Sequence, residues 1–176
     1  MNISLSRLLL TSLVLLTSIV SADVLGNIKV CALRVNFQID DHESTSGDGS
    51  FLDSTYFVCD NYTIDPPPHD KSYFTSQLKA VDSYYRNVSY NLFGIDLNES
   101  QVYPVENNDS YSLENTMNYY NPYNEDELQE SRLTELLKDA ANKAYEIDSI
   151  EFSSYDLIVV FHAGIGQDFS LPFLDP

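Results

Sequence analysis

Residues 132–164 read RLTELLKDAANKAYEIDSIEFSSYDLIVVFHAG, and this stretch decides the fold. In its first half Leu133, Leu136, Leu137, Ala140, Ala141, Ala144 and Tyr145 fall at i, i+3, i+4, i+7, i+8, i+11 and i+12. That is the spacing of one helical face, and lysines and acids fill the opposite side. Asn124 and Glu127 offer a capping box ahead of it. In its second half LIVVF (157–161) is a short all-apolar run, the pattern of a strand covered on both faces. A helix running into such a strand predicts a sheet with helices packed against it.

Upstream, NIKVCALRVNF (27–37) has the β-branched and apolar content of a buried strand. Residues 38–70 are mostly loop, with a turn at Gly47-Asp48-Gly49, a short edge strand in FLDSTYFV (51–58) and a stop at Pro66-Pro67-Pro68. Phe74, Leu78, Val81, Tyr85 and Val88 then recur at four- and three-residue steps, one helical face, with Asp70 or Ser72 to cap it. YNLFGIDL and SQVYPV (within 90–105) read as two strands around Asn98-Glu99, and residues 106–127 as a polar, tyrosine-rich loop. The order strand, helix, strand pair, helix, strand predicts an α/β domain, with α+β as the variant, built on a mixed sheet.

The first 22 residues are a different material. Arg7 precedes the apolar run LLLTSLVLLTSIV, and Val20-Ser21-Ala22 places small residues where a signal peptidase cuts. The run of about 13 residues is shorter than the roughly 20 that span a bilayer. Residues 1–22 therefore read as a signal peptide cleaved after Ala22, and residues 23–176 as one exported domain. Apolar content of 43% puts that domain in the globular class. The leader takes with it one positive charge and no acid, so the formal charge of −18 becomes −19. Such a chain repels phosphate backbones, which argues against nucleic acid and anionic membranes as partners.

Candidate chemistry is sparse. His42, His69 and His162 are the only histidines, and no two stand at i, i+4, so no helix here presents two imidazoles to one metal. His42 and His69 lie in polar segments, and His162 follows the apolar strand as a hydrogen-bonded structural residue. Gly164-Ile165-Gly166 lacks the lysine and the following helix of a phosphate loop. DDHESTSGDGS (40–50) departs from the spacing of a twelve-residue calcium loop, which leaves an irregular calcium site or a plain acidic turn. No G-x-S-x-G elbow occurs, and the four N-x-S/T sequons, at Asn61, Asn87, Asn98 and Asn108, matter only in a glycosylating host. Cys31 and Cys59 either pair in an oxidising compartment, closing about 27 residues for about 3 kcal/mol, or Cys31 is a small buried hydrophobe. From the residues alone no catalytic, cofactor-binding or metal-binding set emerges.

Several segments together resemble secreted zinc metallopeptidases of the immune inhibitor A family. KVCALRVNFQIDD followed by TSGDGSF is similar to that family's first strand and glycine turn. SYFTSQLKAVDSYYRNVSYNLFGIDLNESQVYPV looks like its first helix and strand pair, MNYYNP like its tyrosine motif, and residues 132–170 like its second helix, joint and His-Ala-Gly strand. The resemblance spans about residues 27–174. It implies the N-terminal subdomain of a zincin-like fold, and a full-length endopeptidase that cuts extracellular proteins with a zinc-activated water. In that family the H-E-x-x-H helix follows this strand. No such motif stands in these 176 residues, so the resemblance carries no ligand to any position here, His162 included. The chain then reads as a fragment, inactive alone, with zinc expected and calcium possible in the complete protein and protein or peptide as substrate. LPFLDP (171–176) offers no element to finish the cover of the sheet. The alternative is a small secreted binding or adhesion module that uses residues 106–127 as its surface.

Overall fold

The computed structural model describes residues 25–43, 45, 47–52, 67–106, 109–122 and 126–164. The leader, Cys59, the strand expected in FLDSTYFV beyond Leu52, and Asn124 of the expected capping box lie outside them. The first strand is nearly continuous from Gly26 to Gln38, split at Lys29 into β1 (Gly26–Ile28) and β2 (Val30–Gln38). Helix α1 (Lys71–Val88) follows, then β3 (Phe93–Ile95), β4 (Gln101–Tyr103), β5 (Tyr111–Thr116), the single turn α2 (Met117–Tyr120), α3 (Asp126–Asp148), a 3-10 turn at Phe152–Ser154, and β6 (Leu157–His162). This is an α/β architecture. Among the described residues no helix is long and apolar enough to cross a membrane.

β2 is the centre. Cys31–Leu33 pair with Gln101–Tyr103 of β4, and Val35 pairs with Tyr111 of β5. Val30–Val35 also pair in register with Leu157–His162 of β6. A residue has two ladder edges, so β4 and β5 share one edge of β2 and β6 takes the other. Every described ladder is parallel, β1 with β3 included. The mixed sheet expected from the sequence is thus corrected to a parallel one. The two short strands around Asn98-Glu99 pair with β1 and β2 rather than with each other.

Alternation along β2 sends its side chains into two cores. Cys31, Leu33, Val35 and Phe37 pack with Leu136, Ala140 and Ala144 of α3 and with Tyr111 and Leu113 of β5. Val30 and Ala32 pack with Phe74 and Leu78 of α1, Ile95 and Val102. The crossover through α1 leads to one edge of β2, and the crossover through α3 leads back past β2 to the other. Their helices lie on opposite faces, which is what two crossovers of the same hand must give when they run in opposite directions.

Three expectations change in detail. The segment 106–127 holds β5 and α2 rather than a loop. Tyr111 and Leu113 are buried while Ser112 and Glu114 are exposed, the period-2 mark of a strand. On α3 the buried row is Leu136, Ala140 and Ala144, whereas Leu133, Leu137 and Tyr145 are more than half exposed, because the alanines let only one row approach the sheet. On α1 the buried row is Phe74, Leu78 and Asp82, and Val81, Tyr85 and Val88 face out.

Asp82 replaces an apolar residue in that row because β3 needs an acceptor. Its Oδ1 accepts from Ile95 N at 2.7 Å and its carboxylate holds Arg86 Nε at 2.9 Å. Arg86 Nη2 donates on to Ile95 O at 3.2 Å and Asn27 Oδ1 at 3.1 Å. The pair sews α1 to β3 and β1. At the start of α1, Asp70 is the cap, accepting from Tyr73 N at 2.9 Å, and Ser72 lies inside the helix.

Gly94 passes under this pair: a Cβ there would stand 2.7 Å from both Arg86 Cζ and Asp82 Oδ1. Gly94→Ala is expected to destabilise by about 1–3 kcal/mol through overpacking. Asp82→Ala is expected to cost about 1–3 kcal/mol by stranding the Ile95 N–H. Urea denaturation with an unchanged m-value checks both.

Candidate functional site

All strands of the main sheet run the same way, so their C-terminal ends meet on one side. β2 leaves toward α1 and its neighbour β5 leaves toward α3, on opposite faces. The crevice between two such strands is where open α/β sheets place their ligands. Three separate segments converge at this end. The Phe37 ring lies 5.7 Å from Tyr120 and 5.9 Å from His162, centroid to centroid. His162 ends β6 half-buried, with Nδ1 2.9 Å from its neighbour's carbonyl, Ala163 O.

Local rules explain why the tyrosines arrive there. Thr116 caps α2, its Oγ1 accepting from Tyr119 N at 3.4 Å, so the chain turns from strand to helix without a loop. Tyr119 and Tyr120 then meet α3. Tyr120 donates to Asp139 Oδ2 at 2.7 Å and accepts from Asn115 Nδ2 at 3.5 Å. Tyr119 donates to Glu135 Oε1 at 2.8 Å. Arg132 donates to Glu135 Oε2 at 2.6 Å and to the Tyr119 hydroxyl, with its guanidinium carbon 3.7 Å from the centre of the Tyr119 ring.

The electrostatics follow these contacts. Burial first, and Asp139 after it, raises the Tyr120 hydroxyl well above the ordinary phenol range. Hydrogen bonds from Tyr119 and Arg132 hold the Glu135 carboxyl below the usual carboxylate range. On the same face, nearer the other end of the sheet, burial and then the Asp148 hydrogen bond raise Tyr111. The end of the sheet therefore presents neutral phenols and a compensated ion pair rather than a free nucleophile.

The residues singled out from the sequence are dispersed. His42 is exposed in the turn after β2, and His69 stacks edge-on against Tyr73 at 5.0 Å beside α1. In the acidic stretch 40–50, Asp41, His42, Glu43 and Asp48 are exposed, and Asp48 Oδ1 is taken by Ser50 N at 3.0 Å. Among the described residues no group of three or more His, Cys, Asp or Glu could hold a metal ion. Gly164 has φ +89°, so it forms a turn after β6. Cys31 is fully buried in β2, and burial pushes its thiol up to about 12. Its expected partner Cys59 lies outside the described residues.

Besides Asp82, a second buried charge escaped sequence reasoning. Arg34, in the middle of β2, is 1% exposed, and its Nη2 donates to Pro104 O at 3.2 Å and Glu106 O at 2.7 Å. Desolvation lowers its pKa, while Asp70 and Asp109 raise it. Lys71 Nζ adds a donor to Val105 O at 3.0 Å, so two cations hold the carbonyls of the segment after β4. The visible signal was a lone charge inside the apolar run VCALRVNF (30–37).

No protein family, no curated protein and no solved structure matches this chain.

Glu135 gives a pH test with a definite sign. Its carboxyl is depressed in the folded state, so its contribution is full above the unfolded value of about 4.3 and is lost as pH falls through the folded value. Glu135→Gln is expected to flatten the acid limb of the stability–pH curve, measured by denaturation between about pH 5 and 3. Tyr120→Phe is expected to cost about 1 kcal/mol at neutral pH, measured by the same denaturation.

Proposed function

We propose that this chain is the exported N-terminal part of a secreted zinc endopeptidase domain of the zincin kind, similar to the immune inhibitor A family. In this proposal the leader is cut after Ala22, and the zinc-binding helix is supplied by residues outside those described. The substrates are extracellular proteins or peptides, and calcium is a possible second ion of the complete protein. One observation carries it. Phe37, Tyr120 and His162 belong to three of the separate motifs that make the resemblance, and the rings of Tyr120 and His162 both lie against that of Phe37 at the C-terminal end of the sheet. Motifs that share only composition have no reason to meet at one place.

The described residues do not fit zinc themselves: His42, His69 and His162 form no ligand group with the acids or Cys31. No step of peptide hydrolysis is therefore assigned to them. Their role in this proposal is to build the platform and the aromatic floor beside a substrate crevice. A binding module presenting residues 106–127 is the weaker reading. The hydroxyls of Tyr111, Tyr119 and Tyr120, its natural contact groups, are engaged by Asp148, Glu135 and Asp139.

Residues 23–176, purified and mixed with casein and zinc, are expected to release no peptides. The same polypeptide extended through the codons that follow is expected to carry H-E-x-x-H, to cleave casein, and to lose that activity to a chelator. Zinc-dependent cleavage by residues 23–176 alone, or an extended frame without the motif, would overturn the proposal.

A further inference from the structure

α1 buries one row of side chains and exposes another. Phe74, Leu78 and Asp82 face the sheet, while Val81, Tyr84, Tyr85 and Val88 stand outside at i, i+3, i+4 and i+7. Tyr90 and Leu92, in the turn after the helix, are exposed as well. Asn91 N donates to Arg86 O at 2.7 Å and Leu92 N to Ser89 O at 3.1 Å, which folds that turn against the helix end. Tyr85 meets the Tyr84 ring edge-on at 5.4 Å and the Phe93 ring at 5.3 Å, so the row is packed within itself. Tyr84 is 62% exposed and Tyr90 88%. With roughly 150–250 Å² on an aromatic side chain, the six exposures amount to about 700 Å². The largest apolar patch of an ordinary monomer is roughly 300–600 Å².

Charge separates this face from the rest of the molecule. The whole chain has 27 acids against 9 lysines and arginines. α1 reverses that ratio: it carries Lys71, Lys79 and Arg86 and a single acid, Asp82, which is buried and paired with Arg86. Ala80, Ser83 and Asn87, exposed beside the row, are uncharged. α3 also exposes Leu133, Leu137 and Tyr145, but it bears seven acids against three cations. Two α3 helices brought together would oppose carboxylates to carboxylates, and two α1 helices would not.

These features favour a second copy as the occupant. Two such faces, fully apposed, cover about 1,400 Å², within the roughly 1,200–2,000 Å² of stable specific interfaces. A lipid surface fits less well. Arg86 is held by Asp82 and Lys71 by Val105 O, so no cluster of free cations flanks the row.

We propose that this face joins two copies of the chain, α1 packing antiparallel on α1 about a two-fold axis between Tyr84 and Tyr85. That axis sets Val81 of each copy against Val88 of the other, and Tyr84 against Tyr85, so the row meets itself. The net charge of −18 on each copy opposes the approach, and salt screens that repulsion without touching an acid-free contact. This inference stands independently of the peptidase reading.

Sedimentation equilibrium of residues 23–176 between about 1 and 100 µM tests it, and the mass is expected to rise from one chain toward two. Raising sodium chloride from about 0.05 to 0.5 M is expected to tighten association about tenfold. Val81→Asp combined with Val88→Asp, both at exposed positions, is expected to leave a single-chain mass with an unchanged circular dichroism spectrum. Tyr84→Ser, which adds no charge, is expected to weaken association about tenfold. Leu133→Asp combined with Leu137→Asp adds the same charge on α3 and is expected to keep the dimer. A single-chain mass of the unaltered chain at the highest protein and salt concentrations overturns the proposal. So does a dimer that survives the α1 substitutions, or one that the α3 substitutions dissolve.

Discussion

The structure depends on a single strand that is buried in every direction. Residues Val30 to Val35 of β2 are all inaccessible, with β4 and β5 along one edge, β6 along the other and a helix over each face. Since successive side chains point to opposite faces, this one strand feeds both cores: Cys31, Leu33, Val35 and Phe37 on the α3 side, Val30 and Ala32 on the α1 side. A slip of one residue would exchange the two sets and drive Arg34 into the α3 core. As built, Arg34 falls on the α1 side, where the carbonyls of Pro104 and Glu106 receive it. The register is therefore set by where the charge finds acceptors as well as by where the apolar groups fit.

An excess of acid shapes the rest. The chain has 27 Asp and Glu against 9 Lys and Arg, so most carboxylates have no cation to meet. Tyrosine takes part of that role. Tyr111 donates to Asp148, Tyr119 to Glu135 and Tyr120 to Asp139, and the three bonds fasten β5 and α2 along α3, from its middle to its C-terminal end. A phenol is a neutral donor carrying a large apolar ring, so it can be half-buried at a helix–sheet boundary where an ammonium would pay desolvation. The tyrosine-rich composition is in this sense structural, and it also floors the crevice at the C-terminal end of the sheet.

Much of the fold was legible, and the misses share a cause. The helices at 71–88 and 126–148 follow from the 3.6-residue period, and β2 and β6 from apolar runs, because those patterns are local. Periodicity alone puts Phe74, Leu78, Val81, Tyr85 and Val88 on the buried row of α1. The structure substitutes Asp82, whose carboxylate meets the Ile95 N–H at 2.7 Å. Hydrophobicity cannot register that demand, because it arises on a strand thirteen residues away. β5 reads as loop in the sequence because Ser112, Glu114 and Asn115 dilute its apolar content, although Tyr111 and Leu113 keep the two-residue alternation. At the candidate site, His162 and the tyrosines were visible individually. Their meeting around Phe37 was not, since it joins residues 37, 120 and 162.

By itself the sequence determined the two long helices and the strands β2 and β6, the acidity and the absence of any two histidines one helical turn apart. Each of these is a property of neighbouring residues or of a sum over all of them. Only the tertiary structure decided that β2 lies between β5 and β6, that every described ladder is parallel, and that Arg34 and Asp82 belong inside. Strand neighbours and buried polar partners are choices between distant segments, as when Asp156 Oδ2 accepts from Lys29 N across 127 residues. Those choices are made by simultaneous packing of both faces of one strand, which no short window of sequence contains.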